Sequence, residues 1–440
     1  MTDLLAARSQ MAMSLAFHII FASIGVAMPL MMAMAEWRWL RTNDAVSLAL
    51  AKRWATATAI LFAIGAVSGT VLSFELGLLW PGFMKWAGGI IGLLFALEGF
   101  AFFTESIFLG VYLYGWERVP PRAHFLAGLV VAASGVASAV FVVTANAWMN
   151  TPRGFELIDG RPMHIDPIAA MGNPAAFAES LHMVLAAFAA TGFMVAGIHA
   201  FRLLRDRRDL FHQRALGIAL LVGGIPAILQ PLSGDLLTKE VARDQPAKLA
   251  AFEAVFRTQQ GAPLILGGIA DSQSESVRYA IEIPKGLSLL LHGDPQAAVT
   301  GLDAFPRDQR PPVGILHAAF QLMVAAGFTM MAVALWGAWQ WWRNCSLAEA
   351  TWLLRAIVLT SPLGFLAVEA GWVVTEVGRQ PWIIYGIMRT SEALTPMPGL
   401  IVPLITFTVL YLFLAAMVVW LLIRPVAASP QTLSSPGSGK

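Results

Sequence analysis

Apolar and polar positions along the chain fall into long apolar runs separated by short polar interruptions. A helix needs about 20 mostly apolar residues to cross the hydrocarbon core of a bilayer. Nine runs reach that length, at roughly 11–35, 54–74, 88–114, 124–146, 176–201, 214–233, 313–337, 353–375 and 398–423. The expected fold is all-α, a polytopic membrane protein with nine transmembrane helices. The first run exceeds a signal-peptide h-region. It is followed by Trp37-Arg38-Trp39-Leu40-Arg41 rather than a small-residue cleavage site. Four parts follow: helices 1–6 within 1–233, a mixed-polarity connection over 234–312, helices 7–9 within 313–423, and a Pro/Ser/Gly-rich tail over 424–440 expected to be disordered. The connection contains an amphipathic stretch, Lys248-Leu249-Ala250-Ala251-Phe252-Glu253, and is sized for a flap over a site. No internal repeat supports an inverted-repeat transporter.

Composition removes the soluble alternatives. Of 440 residues, 57% are hydrophobic and 13% charged, against about 25% charged in soluble domains. Disorder needs the opposite balance. Lys and Arg number 29 against 27 Asp and Glu, a net +2 with no basic block, so nucleic acid is not an expected partner. The one cysteine, Cys345, can form neither an internal disulfide nor a thiolate zinc site. Lys and Arg counts orient the bundle. With the N-terminus outside, inner segments hold 15 basic residues, short outer segments 6, and 234–312 the remaining 8. The expected topology is N-out, C-in, with 234–312 extracytoplasmic.

Ionisable groups at membrane depth cost several kcal/mol unless paired, and they mark function. His18, Glu98, Glu105, His182, His199, His317, Glu369 and Glu376 are of this kind, with Met323 beside them. At about 1.5 Å per residue, His18, Glu98, His182, Met323 and Glu376 all fall in the outer half. Imidazole, thioether and carboxylate groups at one depth suit axial ligation of buried haem. No c-type attachment motif is present, so haem would be non-covalent. Glu98 and Glu105 stand seven apart on one helix face, a candidate proton path from the inner side. Taken singly, a membrane histidine is as often an interhelical hydrogen-bond partner. His199 and His317 near helix ends read as interfacial, and Met323 alone reads as packing. Trp80, Trp86, Trp148 and Trp382 suit an aromatic belt. A two-haem cytochrome b needs paired histidines thirteen or fourteen apart on two helices, whereas His182 and His199 are 17 apart. A haem–copper site needs adjacent histidines, which the sequence lacks. The competing function is a proton-coupled transporter using Glu98, Glu105 and Glu369.

Local sequences then narrow the field. Ala96-Leu97-Glu98-Gly99 with Glu105-Ser106, Asn146-Ala147-Trp148-Met149, the stretch Lys248 to Glu253, and Val368-Glu369-Ala370-Gly371-Trp372 running into Glu376-Val377-Gly378-Arg379-Gln380-Pro381-Trp382 resemble subunit I of cytochrome bd-type quinol oxidases over nearly the whole chain. The resemblance implies a terminal oxidase of the bacterial inner membrane that oxidises quinol outside and reduces O2 to water with protons from the cytoplasm. It implies a low-spin haem b held by His182 and Met323, a high-spin haem b and a third haem of d or b type, with His18 and Glu376 as the other iron ligands. Glu98 matches a carboxylate at the oxygen-site haem and Glu105 one in the proton path, with Ser138 beside it. Trp372 matches an aromatic residue between haems, and Lys248 and Glu253 match a quinol-binding loop. Arg379 suits haem propionates, by its bidentate geometry. A second membrane subunit and a small single-helix accessory subunit are the implied partners. Gln321, where many relatives carry Arg, and Ser73-Phe74-Glu75-Leu76-Gly77 resemble the cyanide-insensitive branch.

Overall fold

The computed structural model describes residues 1–343 and 345–427. Among them are nine helices long and apolar enough to span a membrane. They are α1 Asp3–Thr42, α2 Ala45–Leu79, α3 Pro81–Tyr114, α4 Pro121–Asn150, α5 Ala176–Leu203, α6 Leu210–Asp244, α7 Val313–Trp342, α8 Thr351–Gly378 and α9 Ile401–Ala427. Local chemistry sets their ends. The α1–α2 turn is closed by Asn43 in the left-handed conformation, and the Asp44 side chain caps α2 by accepting from Val46 N–H. Proline occupies the first position of α3 and α4, where its missing N–H costs nothing. α8 is broken at Ser361-Pro362 into Thr351–Thr360 and Leu363–Gly378.

Several helices run past their apolar runs. α6 reaches Asp244, so the start of the 234–312 connection is helical. Its polar last turns are supported by the pairs Asp235–Lys239 at 2.7 Å and Glu240–Arg243 at 3.1 Å. α9 takes in the first residues of the expected tail, to Ala427, and the rest of that tail lies outside the described residues.

Small residues bring the helices together. A methyl group on Gly192 of α5 would meet Gly223 Cα of α6 at 2.4 Å, and one on Gly364 of α8 would meet Ala190 Cα of α5 at 2.4 Å. Such contacts are the membrane substitute for a hydrophobic driving force. Met31, Met32, Phe193, Leu203, Leu216 and Leu353 form the main core. A second core, with Leu249, Phe252, Leu287 and Leu316, seats the connection on α7. That connection is made of the short helices Pro246–Phe252 and Gly286–His292 and three two-stranded antiparallel pairs: Gln259–Gln260 with Ala298–Val299, Leu264–Leu266 with Ile281–Ile283, and Ile269–Asp271 with Ser276–Arg278. Lys248 to Glu253 is buried on every side rather than amphipathic at a surface. Trp80 and Trp148 are likewise buried in protein instead of an aromatic belt, because loop residues cover the helix ends; Trp148 donates to Arg153 O at 2.9 Å.

Candidate functional site

A cavity of about 710 Å³ lies among α1, α2, α3, α4, α5 and α8. His18, Glu98, Asn146, Trp372, Glu376 and Arg379 line it. His182, Met323, Glu105, Ser138, Lys248 and Glu253 lie outside its wall. Two of them are next in sequence to it or behind it: Met183 follows His182 and lines the cavity, and Ser138 donates to Glu98 Oε1 at 3.2 Å.

Both candidate histidine ligands are held by the same device. Ser68 Oγ stands 3.0 Å from His18 Nδ1, and Ser233 Oγ stands 3.0 Å from His182 Nδ1. Each hydroxyl already donates its hydrogen within its own helix, Ser68 to Gly65 O at 3.0 Å and Ser233 to Gln230 O at 2.9 Å. A hydroxyl has one hydrogen, so each serine oxygen accepts from Nδ1–H. Both rings are thereby fixed in the tautomer that leaves Nε2 as a bare lone pair, as a metal ligand requires. Beside His182 the Gln230 amide nitrogen stands 3.2 Å from Nε2 and 3.3 Å from Nδ1, and donates to the His182 carbonyl at 3.2 Å. The residue after each serine is glycine. A methyl group on Gly69 would come 3.0 Å from His18 Cε1, and one on Gly234 3.5 Å from His182 Cε1. Met323 has the same kind of neighbour, since a methyl on Gly371 would lie 3.1 Å from its sulfur.

Glu376 is set by two donors. Asn146 Nδ2 reaches Oε1 at 2.6 Å and Arg379 Nη2 reaches Oε2 at 2.5 Å. Asn150 joins this pair to the 234–312 connection. Its Oδ1 accepts from Lys248 Nζ at 3.0 Å and from Arg379 Nη1 at 3.4 Å, while its Nδ2 donates to Glu179 Oε1 at 2.9 Å. Lys248, Glu179, Arg379 and Glu376 thus form a two-plus, two-minus cluster around one amide, which is how buried charge becomes tolerable. Lys248 and Glu253 lie outside the spanning segments. Burial pushes the Lys248 ammonium down to about 8 and the Glu253 carboxyl up to about 8. Near the start of α7, His317 and Gln321 clamp the strand at Leu264–Leu266 and the turn after it. His317 Nε2 faces Gly267 O at 3.0 Å, and Gln321 accepts from Gly267 N–H at 2.8 Å while donating to Ile265 O at 2.9 Å.

Glu105 is buried two turns along α3 from Glu98, against glycine on both sides. Methyl groups on Gly135 of α4 and Gly25 of α1 would lie 3.4 and 3.9 Å from its Oε1. The donors present fit haem. Two imidazole lone pairs, a thioether and a carboxylate are iron-ligand chemistries. Arg379 Nε and Trp372 Nε1 are buried donors with no partner in the protein, free to face a carboxylate or the edge of a macrocycle.

Sequence reading passes over Ser68, Ser233, Gln230, Asn150 and Glu179. Ser68-Gly69 and Ser233-Gly234 carry a legible signal, a small-residue pair at the depth of each histidine. Asn150 and Glu179 carry none, because their roles come from residues 98 and 29 positions away. Arg379, which its place in the sequence puts among the outer loop charges, is buried at 2% exposure and paired with Glu376.

Comparison with known proteins agrees with this arrangement. The profile of the family described as cytochrome bd terminal oxidase subunit I matches residues 6–430. Cytochrome bd ubiquinol oxidase subunit 1 of Bacillus subtilis (strain 168) is 32% identical over 441 residues, covering 97% of this chain and 94% of its own. Another protein of that organism, provisionally assigned as a cytochrome bd menaquinol oxidase subunit I, is 38% identical over 429 residues and 96% of each chain. The structure of bd oxidase from Geobacillus thermodenitrificans has a chain 41% identical that superimposes with a TM-score of 0.91, over 98% of this chain and 99% of the other. These matches and the nine apolar helices make this a multi-pass protein of the bacterial inner membrane, with haem as its class of cofactor and a second subunit as its partner. They set aside the transporter reading. The chain belongs to the cytochrome bd terminal oxidase subunit I family, whose members are quinol oxidases.

Proposed function

We propose that this chain carries the complete haem and quinol machinery of its oxidase, oxidising quinol at the outer face and reducing O2 to water with protons from the cytoplasm. The observation that carries the reading is that His18, Glu98, Trp372, Glu376 and Arg379 open onto one cavity. His182 and Met323 would hold a low-spin haem b, and His18 and Glu376 a high-spin haem b and a third haem of d or b type. When bound, haem supplies one-electron redox couples and an open iron position for oxygen.

The protein's own groups do the rest. Lys248 binds and orients quinol as a donor to one of its oxygens, and Glu253, when ionised, accepts the proton of the other and releases it at the outer side. The Asn150 amide couples Lys248 to Arg379, so the quinol site and the Glu376 end of the cavity share one hydrogen-bond network. Arg379 and Trp372 offer donors to the haem edge. Glu105 receives protons from the inner side and Glu98, steadied by Ser138, holds them at the cavity. Release outside and uptake inside generate a membrane potential without pumping. A second membrane subunit, and a small single-helix accessory subunit, complete the enzyme; menaquinol and ubiquinol are each oxidised by named relatives.

The test uses purified oxidase in vesicles. A reduced-minus-oxidised spectrum with pyridine haemochrome analysis counts the haems by type, and quinol addition should generate a potential, positive outside. Glu105→Ala should slow oxygen reduction while the haem spectra persist. Unslowed turnover in that variant removes Glu105 from the path, and a potential of opposite sign overturns the sidedness.

A further inference from the structure

The glycine-lined seam that holds Glu105 continues along α3 and α4 away from Glu98. Tyr112 follows Glu105 by seven residues, as Glu105 follows Glu98, so the three stack on one face of α3 about 10 Å apart. Opposite Tyr112 the α4 surface is again glycine: a methyl on Gly128 would strike the Tyr112 ring at 2.7 Å. Next to it lies a pair that the oxidase reading leaves without a task. His124 of α4 and Glu36 of α1 are 2% and 0% exposed, and His124 Nδ1 lies 2.8 Å from Glu36 Oε1. Arg38, Arg41, Lys52, Arg53, Arg118 and Arg122, the basic residues that mark the inner side, flank this end of the bundle.

The hydrogen bonds fix what the pair holds. His124 Nε2 faces the Tyr112 carbonyl at 2.8 Å. A carbonyl only accepts, so Nε2 carries a hydrogen. The 2.8 Å contact between Nδ1 and Oε1 then contains one further proton, borne by either atom. Glu36 Oε2 and the Tyr112 hydroxyl are both buried, make no hydrogen bond of good geometry, and lie close enough to interact with each other. Buried polar atoms left in this state are positions for ordered water. A structural pin between α1 and α4 needs neither free oxygen.

We infer that Glu36, His124 and Tyr112 form the inner station of the proton path, loading protons from the cytoplasmic side and passing them along the α3–α4 seam to Glu105. A proton arriving on Glu36 Oε2 gives the pair a second mobile proton. Release of one toward the Tyr112 hydroxyl and bridging water restores the starting count, and no other bond changes. Tyr112 passes the proton by accepting one and giving up its own.

This inference rests on the sidedness and on the role of Glu105 proposed above, and the experiment separates them. In vesicle-bound oxidase, E36Q keeps the shape of Glu36 and a hydrogen bond to His124 but cannot carry the proton. Oxygen reduction and the electrogenic proton-uptake phase should fall at least about tenfold, the scale of one proton-transfer group. Anaerobic reduction of the low-spin haem by quinol and the haem spectra should be unchanged. E36D should recover most of the rate, and Y112F, which removes only the hydroxyl, should slow uptake and raise its solvent isotope effect. Parental uptake in both E36Q and Y112F, with E105Q slow, overturns the inner station alone. Parental uptake in E105Q as well overturns both it and the reading of Glu105.

Discussion

Ser233 Oγ lies 3.0 Å from His182 Nδ1 and spends its only hydrogen on the Gln230 carbonyl, so it can act toward the imidazole solely as an acceptor. Ser68 stands in the same relation to His18. Each serine comes from the helix beside its histidine, and the glycine that follows lets the Cε1 edge of the ring approach that helix closely. Replacing such an outer-shell partner typically costs 10–100-fold in metal affinity or activity. Ser233→Ala should therefore weaken low-spin haem retention by roughly that factor and shift its midpoint potential, while Ser233→Thr, which keeps the hydroxyl, should not. Haem titration into the apoprotein, followed by the Soret band, measures both. Retention at the parental level in Ser233→Ala would show that the tautomer is fixed elsewhere.

This device shows what a sequence can and cannot display. Nine apolar runs are legible because lipid imposes one length on every span. His18, Glu98, His182 and Glu376 are legible because ionisable groups are scarce at that depth. Ser68 and Ser233 are ordinary membrane residues, and only the approach of α2 to α1 and of α6 to α5 gives them a task. Asn150 and Glu179 gain theirs in the same way. Hydropathy falls after 233, and the ion pairs Asp235–Lys239 and Glu240–Arg243 carry α6 on to Asp244, which an apolar run cannot display. The amphipathic look of Lys248 to Glu253 misled for another reason: both its faces are covered, one by core and one by the buried polar cluster.

Glu253 makes the quinol site sensitive to pH. Its carboxyl is pushed from 4.5 up to about 8 by burial, so the folded protein holds this proton more tightly than the unfolded chain does. The stability tied to that proton is complete below pH 4.5. It declines as pH rises and is gone above about 8, at about 1.4 kcal/mol per unit. Lys248, pushed down to about 8, sheds its proton over the same limb. Loss of the Lys248 proton should raise the KM for quinol between pH 7 and 9, while ionisation of Glu253 over the same limb should raise kcat, and Glu253→Gln should abolish only the rise in kcat. A kcat profile unchanged in Glu253→Gln would assign the whole limb to Lys248.

Asn150 is the joint between quinol site and cavity. Asn150→Ala removes the acceptor of Lys248 Nζ and the donor to Glu179. An unsatisfied buried polar group costs about 1–3 kcal/mol, and a charged one more. The variant should bind haem, oxidise quinol at least about tenfold more slowly, and lose several degrees of thermal stability. Asn150→Asp adds a third negative charge to the cluster and should be worse at high pH. Haem content, quinol kinetics and a melting curve on one preparation distinguish lost coupling from lost folding.

Gly378 tests the placement of Lys248 without touching either charge. A methyl group there would come within 2.8 Å of Lys248 Cγ, 3.1 Å of Cδ and 3.2 Å of Cε. The lysine stem cannot swing away freely, because its ammonium is anchored on Asn150 and the residue is buried. Gly378→Ala should therefore push Nζ off its acceptor and lower kcat/KM for quinol by about tenfold, the factor that about 1.4 kcal/mol of lost transition-state binding gives. Electron transfer from an artificial one-electron donor and the haem spectra should be unaffected. The decisive comparison is a double-mutant cycle with Lys248→Ala, which removes the stem that the new methyl would strike. Two residues acting through one contact are non-additive, so Gly378→Ala should cost nothing further in that background. Full additivity would mean that the glycine serves the packing of α8 rather than the position of Lys248.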